Sequence, residues 1–206
     1  MNAISHVLHQ GASITKASKA LLLLHGRGST AEDIISLAPQ IANEDFYIAA
    51  PQAATHAWYP YSFLAEEQLN EPALSLSVAA IKNLIDEIEK HIPKQQIYIM
   101  GFSQGACLAL EVSARYAAKY GGVIALTGGL IGKRIDESKY KGNFEGSHIW
   151  ISNGDQDPHV PLSRSEQSKQ ILEKMGGQVI LKVYRQKPHS VSEDELHLIK
   201  SKILLL

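Results

Sequence analysis

Short apolar runs alternate along this chain with segments of helical periodicity, and that alternation restricts the fold more than any other feature. The runs are Leu21–Leu24, Phe46–Ala50, Ile97–Met100, Gly122–Thr127, His148–Ser152 and Val179–Tyr184. Strands separated by helices are the pattern of a mainly parallel sheet wrapped on both sides. The stretch Ala12–Lys19 reads as a seventh strand at an antiparallel edge. The expectation is a mostly parallel, twisted sheet of about seven strands flanked by helices, without a large cap. The 206 residues suit one domain over 1–206 with one sizeable core.

Capping boxes, in which a hydroxyl and a carboxylate satisfy each other's backbone donors, announce several helices. Ser29–Glu32 opens one with Ile34, Ile35, Leu37, Ala38 and Ile41 on its apolar face. Ser163–Glu166 opens another, closed by Met175-Gly176-Gly177, and Ser192–Glu195 opens the last. Val78–Ile92 carries Ile81, Leu84, Ile85, Ile88 and Ile92 at helical spacing and stops at Pro93. Lys133–Ser147 is polar and rich in turn residues, a surface excursion.

One of the strand-to-helix junctions carries chemistry. Gly101-Phe102-Ser103-Gln104-Gly105 directly follows Gln96–Met100 and directly precedes the helical pattern from Ala106. A serine on such a sharp turn stands clear of the sheet, and a side chain at either flanking glycine would collide with the turn. Ser103 is therefore a candidate nucleophile, and a serine hydroxyl needs a base and an orienting carboxylate. In open α/β sheets these partners lie at the carboxyl ends of strands. After His148–Ser152 come Asp155 and Asp157, in Asn153-Gly154-Asp155-Gln156-Asp157-Pro158-His159-Val160-Pro161. After Val179–Tyr184 comes His189. The order Ser, Asp, His is that of a nucleophile-elbow hydrolase. Strand logic does not separate Asp155 from Asp157. His159 and His25 compete with His189, although His159 lies almost beside the acid and is poorly placed to bridge it to Ser103.

An oxyanion hole needs two backbone N–H groups. Gln104, at the start of the helix, supplies one. The glycine-flanked turn His25-Gly26-Arg27-Gly28-Ser29, after a buried strand, is placed to supply the second. Gly26-Arg27-Gly28 lacks the third glycine of a dinucleotide loop, and Gly128–Lys133 misses the phosphate-loop spacing. The nine histidines show no metal-ligand pattern, so chemistry without metal or cofactor is expected. A net charge of −1 offers no electrostatic case for nucleic acid or an anionic membrane. No apolar run approaches the roughly 18 residues of a membrane span, and stable membrane insertion is not expected. Cys107 is the only cysteine, which excludes an internal disulfide and fits a reducing cytoplasm; its place in the helix after Ser103 suits a small buried side chain.

On Leu24–Gly28, Gly101–Gly105, Gly154–Pro161 and His189-Ser190 with Asp194-Glu195-Leu196 beyond, the chain resembles the phospholipase/carboxylesterase family of α/β-hydrolases. That family includes acyl-protein thioesterases and bacterial carboxylesterases. The resemblance implies a triad of Ser103, Asp157 and His189, with Arg27 giving the second oxyanion amide and His25 supporting the loop from beneath. The chain departs from the family's usual pattern at Arg27 (usually apolar), at Ser29 (near a usual Asp), at Gln186-Lys187-Pro188 (usually glycine-rich) and at Ala106 (commonly glycine).

The implied reaction is hydrolysis of a small-molecule acyl ester, a thioester or lysophospholipid-type ester included. Cleavage of a lactone or peptide bond, or a silent binding module on the same fold, are the alternatives. Aromatics of Pro51–Ala65, Trp58 and Phe63 among them, either line an acyl site or cover the core; Phe102 and Val160 are further pocket candidates. An Arg27 side chain facing the pocket would favour an anionic substrate. The apolar end Ile203–Leu206 either packs on the domain or forms a homodimer contact.

Overall fold

In the computed structural model, which describes residues 2–205, the strands are β1 (Ile4–Gly11), β2 (Lys19–Leu24), β3 (Phe46–Ala53), β4 (Ile97–Phe102), β5 (Gly122–Leu126), β6 (His148–Gly154) and β7 (Gln178–Tyr184). They form one sheet in the order β1-β3-β2-β4-β5-β6-β7. Only β1 runs antiparallel to its neighbour, β3. The helices are α1 (Ala31–Ile35), α2 (Ala38–Ile41), α3 (Ala73–Glu89), α4 (Gln104–Arg115), α5 (Leu162–Lys174) and α6 (Glu193–Ile199). Among the described residues there is no large cap, and the architecture is that of an α/β-hydrolase.

The two-residue period of β2 divides the core in two. Leu21 and Leu23 join Met100, Trp150, Ile34, Ile41, Leu196 and Ile199 on the face covered by α1, α2 and α6. Leu22 and Leu24 join Ile99, Ile151, Ile81, Ile85, Leu108 and Leu172 on the face covered by α3, α4 and α5. Because both faces are covered, β2 from Ala20 to Leu24 is wholly buried. A strand at the middle of such a sheet can therefore be apolar throughout.

Several boundaries differ from the sequence reading, each for a physical reason. The antiparallel edge is Ile4–Gly11, while Ala12–Lys19 is mostly the turn beyond it, where Ser13 O accepts from Lys16 N and Ala17 N. An edge strand half open to water needs no apolar run, and β1 has none. The first capping box is Thr30–Asp33, with Ser29 Oγ donating to Asp33 Oδ2 at 2.7 Å. The helix expected from there to Ile41 is split into α1 and α2, since Pro39 has no N–H to give and would clash with the carbonyl a turn back. α5 starts after Pro161 with no side-chain cap, so Ser163–Glu166 is not a capping box. α3 begins at Ala73 and ends at Glu89, short of Ile92, which is nevertheless buried. The Ser192–Glu195 box is formed as read. The excursion Lys133–Ser147 is pinned inward by buried Tyr140 and Phe144. At the C-terminal end Ile203 and Leu204 are buried and Leu205 is exposed; Leu206 lies outside the described residues.

No helix among the described residues is long and apolar enough to cross a membrane.

Candidate active site

β4 ends and α4 begins within one residue of Ser103, and main-chain contact makes that turn. A Cβ at Gly101 would stand 2.2 Å from Gly105 O, and one at Gly105 would stand 2.1 Å from Leu24 O. Only glycine lets the helix start so close to β2 and β4. Ser103 takes φ 53° and ψ −115°, a region that costs an L-residue about 1–3 kcal/mol. Its N–H donates to Leu126 O at 3.0 Å and its carbonyl accepts from Cys107 N at 3.0 Å. Those bonds hold the strained residue, and its side chain is left to other partners.

The partner is His189, in the loop between β7 and α6. Ser103 Oγ and His189 Nε2 are 2.8 Å apart, and His189 Nδ1 and Asp157 Oδ2 are 2.7 Å apart. Asp157 Oδ1 also accepts from His159 N at 2.8 Å and Val160 N at 2.9 Å. Burial pushes the Asp157 carboxyl up, but the bonds from His189, Val160 and His159 outweigh it and hold it below the ordinary carboxylate range. A carboxylate that stays charged fixes the proton of the imidazole on Nδ1 and leaves Nε2 to accept from the serine. Asp155 turns away from this chain: its Oδ1 accepts from Gln186 N at 2.7 Å and joins two loops. The His189 ring packs against Phe102 (5.1 Å between centroids) and edge-on to His159 (4.8 Å).

Ser103 and His189 open into a cavity of about 620 Å³. Arg27, Gln104, Phe63, Val160 and His159 line it with Tyr59, Pro60, Tyr61, Ser62 and Cys107. Trp58 does not. It is buried beneath the wall, with its Nε1–H donating to His25 O at 2.9 Å. Phe102 is likewise absent from the lining. Among the lining residues Arg27 carries a fixed positive charge and there is no carboxylate. Cys107 sits at the buried side of the cavity, and burial pushes its thiol up to about 12, which leaves it protonated and unreactive.

Neither Arg27 N–H nor Gln104 N–H donates to a protein acceptor among the described residues. Both residues line the cavity with Ser103, one at the start of α4 and the other in the turn after β2. Gly28 makes that turn at φ +74°, with its N–H donating to His56 O at 2.7 Å. His25 lies beneath, fully buried. Its Nε2 accepts from Ala53 N at 3.1 Å, so the proton is on Nδ1, which donates to Gly26 O at 2.7 Å. Burial lowers the pKa of His25, which suits a neutral strut between β3 and the turn.

The sequence left open whether Trp58 and Phe63 line the pocket or cover the core, because an irregular loop has no period from which to read its faces; Phe63 and Val160 line it, Trp58 covers the core, and Tyr59, not singled out, is in the wall. The sequence also missed Asn70 and Ser77, both buried. Asn70 Oδ1 accepts from Tyr61 N at 2.8 Å and Ser77 Oγ donates to Trp58 O at 2.6 Å. Ser77 left a trace, a hydroxyl on the face of α3 otherwise built from Leu74, Val78 and Ile81; Asn70 left none. Among the described residues no group of three or more His, Cys, Asp or Glu is placed to hold a metal ion.

Comparison with known proteins adds an independent line. The family model described as Phospholipase/Carboxylesterase matches residues 11–206. Acyl-protein thioesterase 1 of Saccharomyces cerevisiae is 29% identical over 214 residues, covering 92% of this chain and 93% of that one. The crystal structure of a phospholipase/carboxylesterase from Dyadobacter fermentans superposes with a TM-score of 0.96 at 48% identity, covering 99% of both chains. The Bacillus cereus carboxylesterase shares the fold at a TM-score of 0.77 and 22% identity, covering 95% of this chain and 91% of that one.

Proposed function

Because the chain belongs to the phospholipase/carboxylesterase family, and so is a hydrolase of the carboxylesterase/phospholipase type, we propose that it cleaves carboxylic esters and thioesters through an acyl-enzyme on Ser103. The observation that carries this reading is the unbroken hydrogen-bond chain from Ser103 Oγ through His189 to Asp157. Ser103 Oγ attacks the acyl carbon while its proton passes to His189 Nε2. Asp157 stabilises the imidazolium that results. The carbonyl oxygen becomes an oxyanion, received by the amides of Gln104 and Arg27. Collapse breaks the bond to the leaving oxygen or sulfur, which takes the proton from His189. Water then repeats the sequence on the acyl-enzyme, giving the acid and free Ser103. No step calls for a metal or cofactor. Phe63, Val160 and the Tyr59–Tyr61 segment form the walls against which the acyl or alkyl group rests.

A fluorophosphonate probe reports the nucleophile directly. The wild-type protein is expected to be labelled, and Ser103→Ala to lose both labelling and roughly 10⁴- to 10⁶-fold of kcat/KM on p-nitrophenyl esters. Labelling that survives in Ser103→Ala would remove the proposal. Graded p-nitrophenyl esters run beside thioesters, lactones and peptides then identify the acyl bond. Turnover of lactones or peptides without esters would shift the chemistry to those bonds, and no turnover of any would leave a binding module.

A further inference from the structure

The two residues whose amides are assigned to the oxyanion both send their side chains to one short stretch of chain. Gln104 Oε1 accepts from Trp58 N at 2.9 Å, and its Nε2 donates to Tyr59 O at 2.7 Å. Arg27 Nη1 donates to Pro60 O and Nη2 to Tyr61 O, each at 2.5 Å. Ser77 from α3 and Asn70 take Trp58 O and Tyr61 N. Residues 58–61 belong to no helix or strand, yet six of their main-chain groups are bound by side chains from four places. Irregular surface segments ordinarily leave such groups to water.

We propose that Trp58–Tyr61 is a common anchor for the oxyanion hole, and that the Arg27 side chain acts through it as a positioning residue. This rests on the reading of the Arg27 and Gln104 amides given above. The amide of Gln104 needs little help, because α4 holds it. That of Arg27 lies in a turn with glycine on each side; its peptide is held from beneath at Gly26 O by Ser29 N at 3.2 Å and His25 Nδ1 at 2.7 Å, while its N–H side faces no protein acceptor. Fixing the far end of the Arg27 side chain on Pro60 and Tyr61 restrains it. Gln104 fixes the same segment to α4, so the two amides are referred to one frame. The chain of contacts runs from α4 through Gln104 to Trp58–Tyr61, and from there through Arg27 to the turn after β2. The rival role for Arg27, reading an anion on the substrate, would draw on the three N–H groups that the two carbonyls leave over, and the anionic ester below distinguishes it. The same segment supplies cavity wall, so the acyl group leans on the part that sets the oxyanion geometry.

The test uses Arg27→Met, Arg27→Lys, Gln104→Ala and the Arg27→Met/Gln104→Ala double variant. Each is measured on neutral p-nitrophenyl butyrate and on anionic mono-p-nitrophenyl succinate. Arg27→Met is expected to lower kcat about 10- to 30-fold on both esters, with KM within about twofold. Its affinity for an alkyl boronic acid, which adds to Ser103 as a tetrahedral anion, should fall by the same factor at an unchanged melting temperature. Arg27→Lys, which keeps one donor, should recover part of the loss. The double variant should lose no more than about the worse single, since both changes release one anchor. An unchanged kcat, unaltered boronate affinity, a loss confined to the anionic ester, or single losses that multiply in the double variant would each overturn the proposal. Fluorophosphonate labelling keeps the two readings apart: it persists in Arg27→Met if only the anchor is wrong, and it survives in Ser103→Ala if Ser103 is not the nucleophile.

Discussion

The turn that carries Ser103 is shaped by main-chain contact, whereas the loop that carries His189 is tied down by side chains from other parts of the molecule. At the first, a single added carbon on Gly101 or Gly105 meets backbone oxygen at 2.2 or 2.1 Å. At the second, Lys187 Nζ donates to Glu195 Oε1 at 2.6 Å, with both side chains nearly or fully buried. Asp155 holds Gln186 N, and Tyr184 OH donates to Asp194 Oδ2 at 2.9 Å. A serine fixed by sterics, as the proposed nucleophile is, cannot be adjusted by small steps. A histidine fixed by pairs of side chains, as the proposed base is, can be adjusted by exchanging pairs, and this is where the chain carries Gln186-Lys187-Pro188.

The contrast can be broken at three points, in falling order of effect. Gly105→Ala forces α4 off the end of β2, and we expect a loss of more than about 4 kcal/mol in urea unfolding; near-native stability would mean that the turn is less rigid than its contacts. Lys187→Met strands the buried Glu195 carboxylate at a cost of about 3 kcal/mol. Adding Glu195→Gln, which keeps an oxygen for the α6 cap, should return much of that stability, and failure to recover would show that the tie is not an exchangeable pair. The smallest effect is on acid stability. The folded carboxyl of Asp157 is held below its unfolded value, so the unfolded chain binds the extra proton. Its contribution is complete above about pH 4 and fades as pH falls through the folded value, with a slope of at most about 1.4 kcal/mol per pH unit. Urea midpoints from pH 6 down to 3 should therefore fall less steeply in Asp157→Asn. Equal slopes would mean that the three hydrogen bonds to Asp157 contribute nothing to its acidity.

The same contrast explains what could be read in advance. Gly101 and Gly105 announce themselves because no other residue fits there, and buried β2 does so because it sits between covered faces. The strand-end positions of Asp157 and His189 follow from the direction of parallel strands. What could not be read is held by long-range side-chain contact or by exposure. β1 has too little buried surface to need an apolar pattern, and Asn70, Ser77 and the Lys187–Glu195 pair gain meaning only when the chain is folded. Asp155 and Asp157 are both acids after β6; strand logic leaves them equal, the family resemblance favours Asp157, and the loop geometry pairs one with Gln186 N and the other with His189. Pro39 was legible in principle, since a proline four residues after Ile35 interrupts any helix that begins at Ala31.

Cys107 bears on the fate of the covalent intermediate proposed here. Its N–H bonds to Ser103 O at 3.0 Å, so sulfur and nucleophile stand on successive turns of one helix and share one cavity. A thiolate at that place would be an alternative seat for the acyl group, trading an oxygen ester for a thioester on the protein itself. With its thiol pushed up to about 12 by burial, the sulfur keeps its proton and stays a spectator. Under that proposal the acyl group has a single departure route, to water through His189, and the enzyme is protected from parking its substrate on its own floor.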